Sequence, residues 1–511
     1  MRVALDRERA LFYGFLALVV LLLWVPEYPP MVDMPQHAGQ VFQLKQLLFS
    51  ESRWHDQVQV NALTPYWIGY GLWLALSLVF SVKVALKVLV TLCLIAYVAS
   101  FGALRREFAA PRILDWVLVP TFFGYAYEWG MITFLLALPV GLLFFLVNIY
   151  WHRNGGWRLG AVVLFTGIAL FFSHGLVFVF FLFCSSLFLL VKSGFNVLVA
   201  LRFAWPYVLL SALTLLYMAR PDPLAAHYSY GESSVVWGSM ADRLHGLFYM
   251  PWGIVPRGAS TYVLSLLVMV FPFIMGMRLT RDGSRYVFAG SALLAFLVLP
   301  HFVSNTFLLY QRFSILLLPA YMLCFDGVES GPGQPGRSRH NHLQLLWGGL
   351  VVALMYNPAA NLLFFNKETA SFKALMAAVP EGKRALSWVY DRESRVVSVP
   401  SVYLHFPVWY QVERGGWVDY NFSWFHPQVV RFSPDSLPEV RPGFEWRQDL
   451  PALLEECARY ELVFLHSFTV PPDEVLKETS CPHVPYMQAG NWYVYALPGV
   501  EEENSNVKAR L

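Results

Sequence analysis

Charge is scarce in this chain. Only 14% of its 511 residues are Asp, Glu, Lys or Arg, where a soluble domain carries about 25%. A soluble enzyme tethered by one anchor is therefore excluded. Cysteine is sparse as well: five residues, none at zinc or iron–sulfur spacing. No Gly-rich phosphate loop, nucleophile elbow or His-Glu zinc helix is present. No internal repeat is visible. The net charge of +3 is small, and Lys and Arg gather in short loops, which fits membrane topology and not nucleic-acid binding.

What is abundant is apolar sequence: 57% of residues are hydrophobic and 17% aromatic. Runs long enough to span about 30 Å of hydrocarbon recur to about residue 360. The fold class expected is an α-helical polytopic membrane protein with roughly 11–13 transmembrane helices and a C-terminal extracytoplasmic α/β domain. Arg2, Arg7 and Arg9 precede the first run, about 10–25, which sets the N-terminus in the cytoplasm. Further spans are expected near 65–81, 84–103, 113–127, 131–150, 158–173, 175–192, 197–218, 260–277, 286–303, 305–325 and 343–360. The basic loops at His152–Arg158, Lys192, Arg278–Arg285 and Arg337–Arg339 then share the cytoplasmic side. Arg105-Arg106 falls outside when counted from the N-terminus and inside when counted back from those loops. One segment between 65 and 127 must therefore fail to cross, and the sequence leaves open which.

The transmembrane domain is expected over 1–360, with outer loops 28–64 and 219–259. Within the first loop, Val41, Phe42, Leu44, Leu47, Leu48 and Phe49 recur at helical spacing, predicting a helix on the membrane surface. Residues 326–342 read as a flexible Gly- and Pro-rich loop. Residues 361–500 read as a periplasmic α/β domain, with strands near 395–399, 428–432, 461–465 and 492–496 and helices near 369–379, 402–414 and 452–460. Residues 501–511 read as a disordered tail. Cys93, Cys184 and Cys324 fall in apolar runs and read as inert thiols. Whether Cys457 and Cys481 pair is left open by the sequence.

Several polar residues stand where chemistry is affordable. Asp33 and His37 follow the first span, at the waterline, where charge can still be hydrated. Asp33 suits a general base, and equally a helix cap; His37 lies one turn away and suits its orientation. Glu128, among Tyr125, Tyr127 and Trp129, suits a metal or a sugar hydroxyl, and its aromatics equally suit an interface belt. His174 breaks an apolar stretch at the outer end of a hairpin. The loop 219–259 offers Tyr228, Tyr230 and Asp242 for stacking and hydrogen bonding to a sugar, and these residues equally suit a wet interfacial loop. Arg312 enters a span from the outer side, where a guanidinium grips a lipid phosphate or snorkels. His405 opens a mixed cluster in the soluble domain that suits acceptor binding.

The layout resembles the GT-C superfamily of membrane glycosyltransferases, here a bacterial member. The features that match are one span, a long outer loop opening with an acid, many further spans and an outer C-terminal α/β domain. Val32-Asp33-Met34-Pro35-Gln36-His37 is similar to first-loop motifs of bacterial members. The resemblance implies sugar transfer from a polyprenyl-phosphate donor to a glycan, lipid or protein acceptor outside the cytoplasm, with inversion. It implies Asp33 as base, His37 as its partner, Arg312 as phosphate clamp and Glu128 as the second acid. A divalent cation, Mg or Mn, is the cofactor it brings into consideration, with Asp33 and Glu128 as the candidate holders. The chain departs from the family in having a lone Asp after the first span. The location implied is the bacterial inner membrane. Two other readings compete: a transporter or flippase, and a catalytically silent assembly partner in a cell-envelope polysaccharide system. Few charges lie inside the spans and no halves match, which tells against the transporter.

Overall fold

The computed structural model describes residues 2–50, 53–224, 235–256, 258–303, 306–327, 337–447 and 457–497. The chain is mostly helical, with a small separate sheet region. Four described helical runs are long and apolar enough to cross a membrane: Val82–Glu107, Ile132–Asn154, Gly175–Lys192 and His342–Glu368. Shorter apolar helices occupy Trp157–Ser173, Trp205–Met218, Ala259–Ile274 and Gly283–Val298.

Several expected spans are broken. Residues 113–127 fold as a 3-10 turn Arg112–Val117, then Leu118–Phe122, then Tyr125–Trp129. Residues 305–325 yield only the nine-residue helix Ser314–Met322. Pieces of this kind expose backbone groups that lipid cannot satisfy, and they are tolerated where protein surrounds them. Nearly every residue from Leu114 to Tyr127 is indeed buried.

The helix Trp67–Ser77 has 11 residues and so reaches only about 16 Å, too little to cross. Lys83 pairs with Glu27 at 2.7 Å, just beyond the C-terminal end of the first helix, Arg2–Leu23. At the opposite end Arg112 pairs with Glu8 at 3.4 Å and Arg105 with Asp115 at 2.9 Å. The helices Arg2–Leu23 and Val82–Glu107 thus run antiparallel, and Arg105-Arg106 lies at the end where the chain starts. A non-crossing helix at 67–77 is consistent with that placement of Arg105-Arg106.

The expected surface helix forms as Met34–Phe49, but ten of its 16 residues are buried. It is wedged between the helical body and the C-terminal region, which cover most of its surface. Gln36, Gln40 and Gln43, at i, i+4 and i+7, share a face. Gln36 accepts from Phe422 N at 3.0 Å, Gln40 accepts from Val430 N at 3.0 Å, and Gln43 accepts from Ser423 Oγ at 3.1 Å. Strand Val58–Val60 extends this join by pairing antiparallel with Val430–Phe432.

The main sheet has five strands in the order Val484–Ala489, Trp492–Ala496, Leu462–His466, Arg384–Val389, Trp417–Val418. The first three pair antiparallel; Arg384–Val389 pairs parallel with both of its neighbours. The strands read near 461–465 and 492–496 are present. The one read near 428–432 forms as Val430–Phe432 but pairs outside this sheet, and 395–399 forms no strand. Helix 369–379 forms as Ala370–Ala378, and 402–414 as a turn Phe406–Val408 followed by Trp409–Arg414. The loop core 328–336, most of the helix expected at 452–460, and the tail 501–511 lie outside the described residues. Cys457 and Cys481 form a disulfide, and Cys93, Cys184 and Cys324 are buried free thiols.

Candidate functional site at the junction of the helical body and the C-terminal sheet region

The loop bearing Asp33 is stitched to the segment Tyr125–Trp129. Val32 N donates to Glu128 O at 3.2 Å and Asp33 N to Trp129 O at 2.9 Å. Gly130, at φ +88°, makes this approach possible: a Cβ there would stand 3.0 Å from Asp33 N. Gly130→Ala meets both a disfavoured backbone and a crowded amide. A loss of about 1–3 kcal/mol in stability is expected, read as a lowered unfolding midpoint, together with loss of whatever activity depends on Asp33.

Asp33 stands at the N-cap of Met34–Phe49, yet its side chain makes no capping hydrogen bond. The carboxylate instead faces a cavity of about 880 Å³ and is 18% exposed. His37, His405, Arg312 and Glu445 line the same cavity. So do Trp129, Tyr420 and Phe422, which offer aromatic faces, and Met218, Phe307 and Leu308, which make an apolar flank.

Asp33 is oriented by His405 more directly than by His37. Gln36 Oε1 accepts from Phe422 N, so its amide nitrogen donates to His405 Nδ1 at 3.2 Å. That leaves the proton of neutral His405 on Nε2, which faces Asp33 Oδ1 at 3.5 Å. His405 also lies parallel to Tyr420, with ring centroids 5.9 Å apart.

His37 is held elsewhere. Tyr70 donates its one proton to Gln428 Oε1 at 2.6 Å, so His37 Nδ1 must donate to the Tyr70 oxygen, also at 2.6 Å. Neutral His37 therefore presents an unprotonated Nε2. Burial pushes its pKa down to about 4, with Asp33 opposing that shift and Arg312 adding to it. His466, buried at the end of the strand Leu462–His466, is lowered to about 4 by the same cause. Both bind protons more readily unfolded than folded. Their contribution to stability is complete above about pH 6.5 and is lost as pH falls toward 4. The unfolding midpoint should drop across that window, and His37→Gln should flatten the drop.

Arg312 comes from the 3-10 turn Gln311–Phe313. Its guanidinium donates to Phe307 O at 2.9 Å and Leu308 O at 3.3 Å. Among the described residues it makes no ion pair, so it presents positive charge to the cavity. Further round the wall, Asp222 is bound by Arg431 at 2.8 Å and faces His426 at 3.5 Å. Asp222 is held below the usual carboxylate range; burial works against this, and His426 and Arg431 outweigh it.

Glu445 is a third cavity carboxylate, after Asp33 and Asp222, and the sequence gives no sign of it. It accepts from Tyr420 Oη at 2.6 Å and from Gly443 N at 2.9 Å. Burial raises it above the ordinary carboxylate range despite nearby His405. Its sequence context, Gly443-Phe444-Glu445-Trp446, carries no recognisable signal.

The other expected site residues lie apart. Glu128 is buried outside the cavity lining, where its carboxylate accepts from Ile254 N at 2.8 Å and Asn361 Nδ2 at 3.3 Å. It ties three segments together. Asp33 and Glu128 thus do not fit a shared cation. Among the described residues no group of three His, Cys, Asp or Glu gathers as a metal set. His174 caps the helix Gly175–Lys192 by accepting from Leu176 N at 3.2 Å, and packs behind Tyr66 of the cavity wall. Asp242 is exposed in the first turn of Met240–Tyr249, away from the cavity. Tyr228 and Tyr230 lie outside the described residues.

Chemically, the cavity joins a carboxylate positioned to take a proton, a guanidinium positioned to take an anion, aromatic faces and an apolar flank. No family model and no curated protein matches this chain.

Proposed function

We propose that the protein is a membrane glycosyltransferase that moves a sugar from a polyprenyl-phosphate donor to an acceptor outside the cytoplasm. The observation that carries this reading is that Asp33 and Arg312 line one cavity with an apolar flank. In the reaction Asp33 takes the proton of an acceptor hydroxyl. The acceptor oxygen then bonds to the anomeric carbon as its bond to the phosphate oxygen breaks, inverting that carbon. The phosphate leaves with the bonding electron pair, and Arg312 stabilises the added charge. His405 holds the Asp33 carboxylate, and Trp129 and Tyr420 offer faces on which a sugar ring stacks. The prenyl chain follows Met218, Phe307 and Leu308 toward the bilayer. No step is assigned to a metal.

The Cys457–Cys481 disulfide supports an oxidising, extracytoplasmic setting for the sheet region, the periplasm of a bacterial inner-membrane protein. One observation favours the transporter reading: the run 112–129 is interrupted, as transporter helices are at their binding sites. Purified protein supplied with radiolabelled polyprenyl-phosphate sugars and a periplasmic glycan and lipid fraction separates the readings. Label moved to an acceptor supports the transferase. Label carried across a vesicle without changing its chemical carrier supports the transporter. Neither outcome leaves the silent scaffold.

A further inference from the structure

A second cavity, of about 580 Å³, lies where the first helix ends and the C-terminal region begins. Lys83 and Lys87 reach it from one face of Val82–Glu107, being four residues apart. Lys373 reaches it from Ala370–Ala378. Two carboxylates answer them. Lys83 sits 2.7 Å from Glu27 and 3.0 Å from Glu413, and Lys373 sits 2.6 Å from Glu27. Three ammonium groups against two carboxylates leave this cluster with one positive charge.

The surplus is at Lys87. Among the described residues its ammonium makes one hydrogen bond, to Trp24 O at 2.9 Å. An ammonium has three donors, and a half-buried one without a counter-charge is costly. Lys373 likewise has donors left after Glu27. The Ser81 hydroxyl accepts from Val84 N at 3.2 Å and keeps its proton to donate. The Asn366 oxygen accepts from Glu27 N at 3.0 Å, which leaves its amide nitrogen as a donor in the lining. The cleft thus gathers donors around the Glu27 carboxylate, with one positive charge in excess. Trp24, Val79 and Phe80, next to it in the chain, are exposed apolar side chains.

We infer that this cleft binds a phosphate group, held by Lys87 and Lys373, with Ser81 and Asn366 donating to its oxygens. The site is separate from the Asp33 cavity and stands whether or not the transferase reading does. The shared chemistry is phosphate, borne either on an anionic lipid headgroup or free in solution.

The test is native mass spectrometry of the full chain in detergent, titrated with phosphatidylglycerol and, separately, with inorganic phosphate. Wild type should retain phosphatidylglycerol at least about tenfold more tightly than Lys87→Gln/Lys373→Gln, which removes two charge-assisted hydrogen bonds. Glu27→Gln removes a competing carboxylate and should tighten retention, an effect that misfolding cannot imitate. Retention resisting millimolar inorganic phosphate assigns the site to lipid; displacement by it assigns the site to the free ion. Equal retention by wild type and the double lysine variant overturns the inference. So does weakened retention in Glu27→Gln.

Discussion

Asp33→Asn should reduce sugar transfer by about 10²- to 10⁴-fold, the usual contribution of a positioned general base. The amide is nearly the same size and carries no proton-accepting charge. Folding should be untouched, because the Asp33 side chain makes no capping bond and the loop is held by backbone donation to Trp129 and Glu128. Donor binding should change little, since the phosphate is assigned to Arg312. The loss should therefore appear in turnover. His405→Ala should lower turnover less, because it frees the carboxylate at 3.5 Å without removing it. An Asp33→Asn protein that transfers at the wild-type rate would remove the base from the proposal.

Arg312→Met is the second large effect. Its guanidinium is held by the backbone carbonyls of Phe307 and Leu308 and by the Tyr66 hydroxyl, and it makes no ion pair among the described residues, so the cavity-facing charge is available to an anion. Removing a charged partner from a desolvated phosphate costs about 2–5 kcal/mol, which is roughly 30- to 5,000-fold in kcat/KM. Both donor affinity and turnover should fall, because the phosphate gains charge as it leaves. Arg312→Lys should recover part of the loss, since a point charge lacks the planar fork. The split between the two sites is diagnostic: turnover alone for Asp33, turnover and affinity for Arg312. Identical losses at both would point to a general disturbance of the cavity.

Much of this was legible because the physics is local. Charge scarcity and long apolar runs announce a helical membrane-type chain. An aspartate directly after the first apolar run, and an arginine ahead of a late one, were readable as interfacial polar groups, and the fold brings both to one cavity. What was hidden depends on distant pairing. His405 lies 369 residues from Gln36, the amide that fixes its tautomer, and no local pattern records that. Arg384–Val389 is a central strand because Leu462–His466 and Trp417–Val418 flank it, not because its residues alternate clearly. One signal was present and unread: Gln36, Gln40 and Gln43 on one face of a helix mark a polar seam against a partner, where a membrane-surface helix would show a charged face. Glu128 is ambiguous in the sequence because aromatic neighbours suit a ligand site and a packed core equally. Its acceptors are filled from Ile254 and Asn361, both far along the chain.

Sugar transfer by this route requires donor lipid to occupy the space between Asp33 and Arg312. A photoreactive polyprenyl phosphate added to the purified full chain tests this directly. Label should fall on peptides bearing Met218, Phe307 and Leu308, be competed by unmodified polyprenyl phosphate, and weaken strongly in Arg312→Met. Label confined to other surfaces, or undiminished in Arg312→Met, would contradict the account.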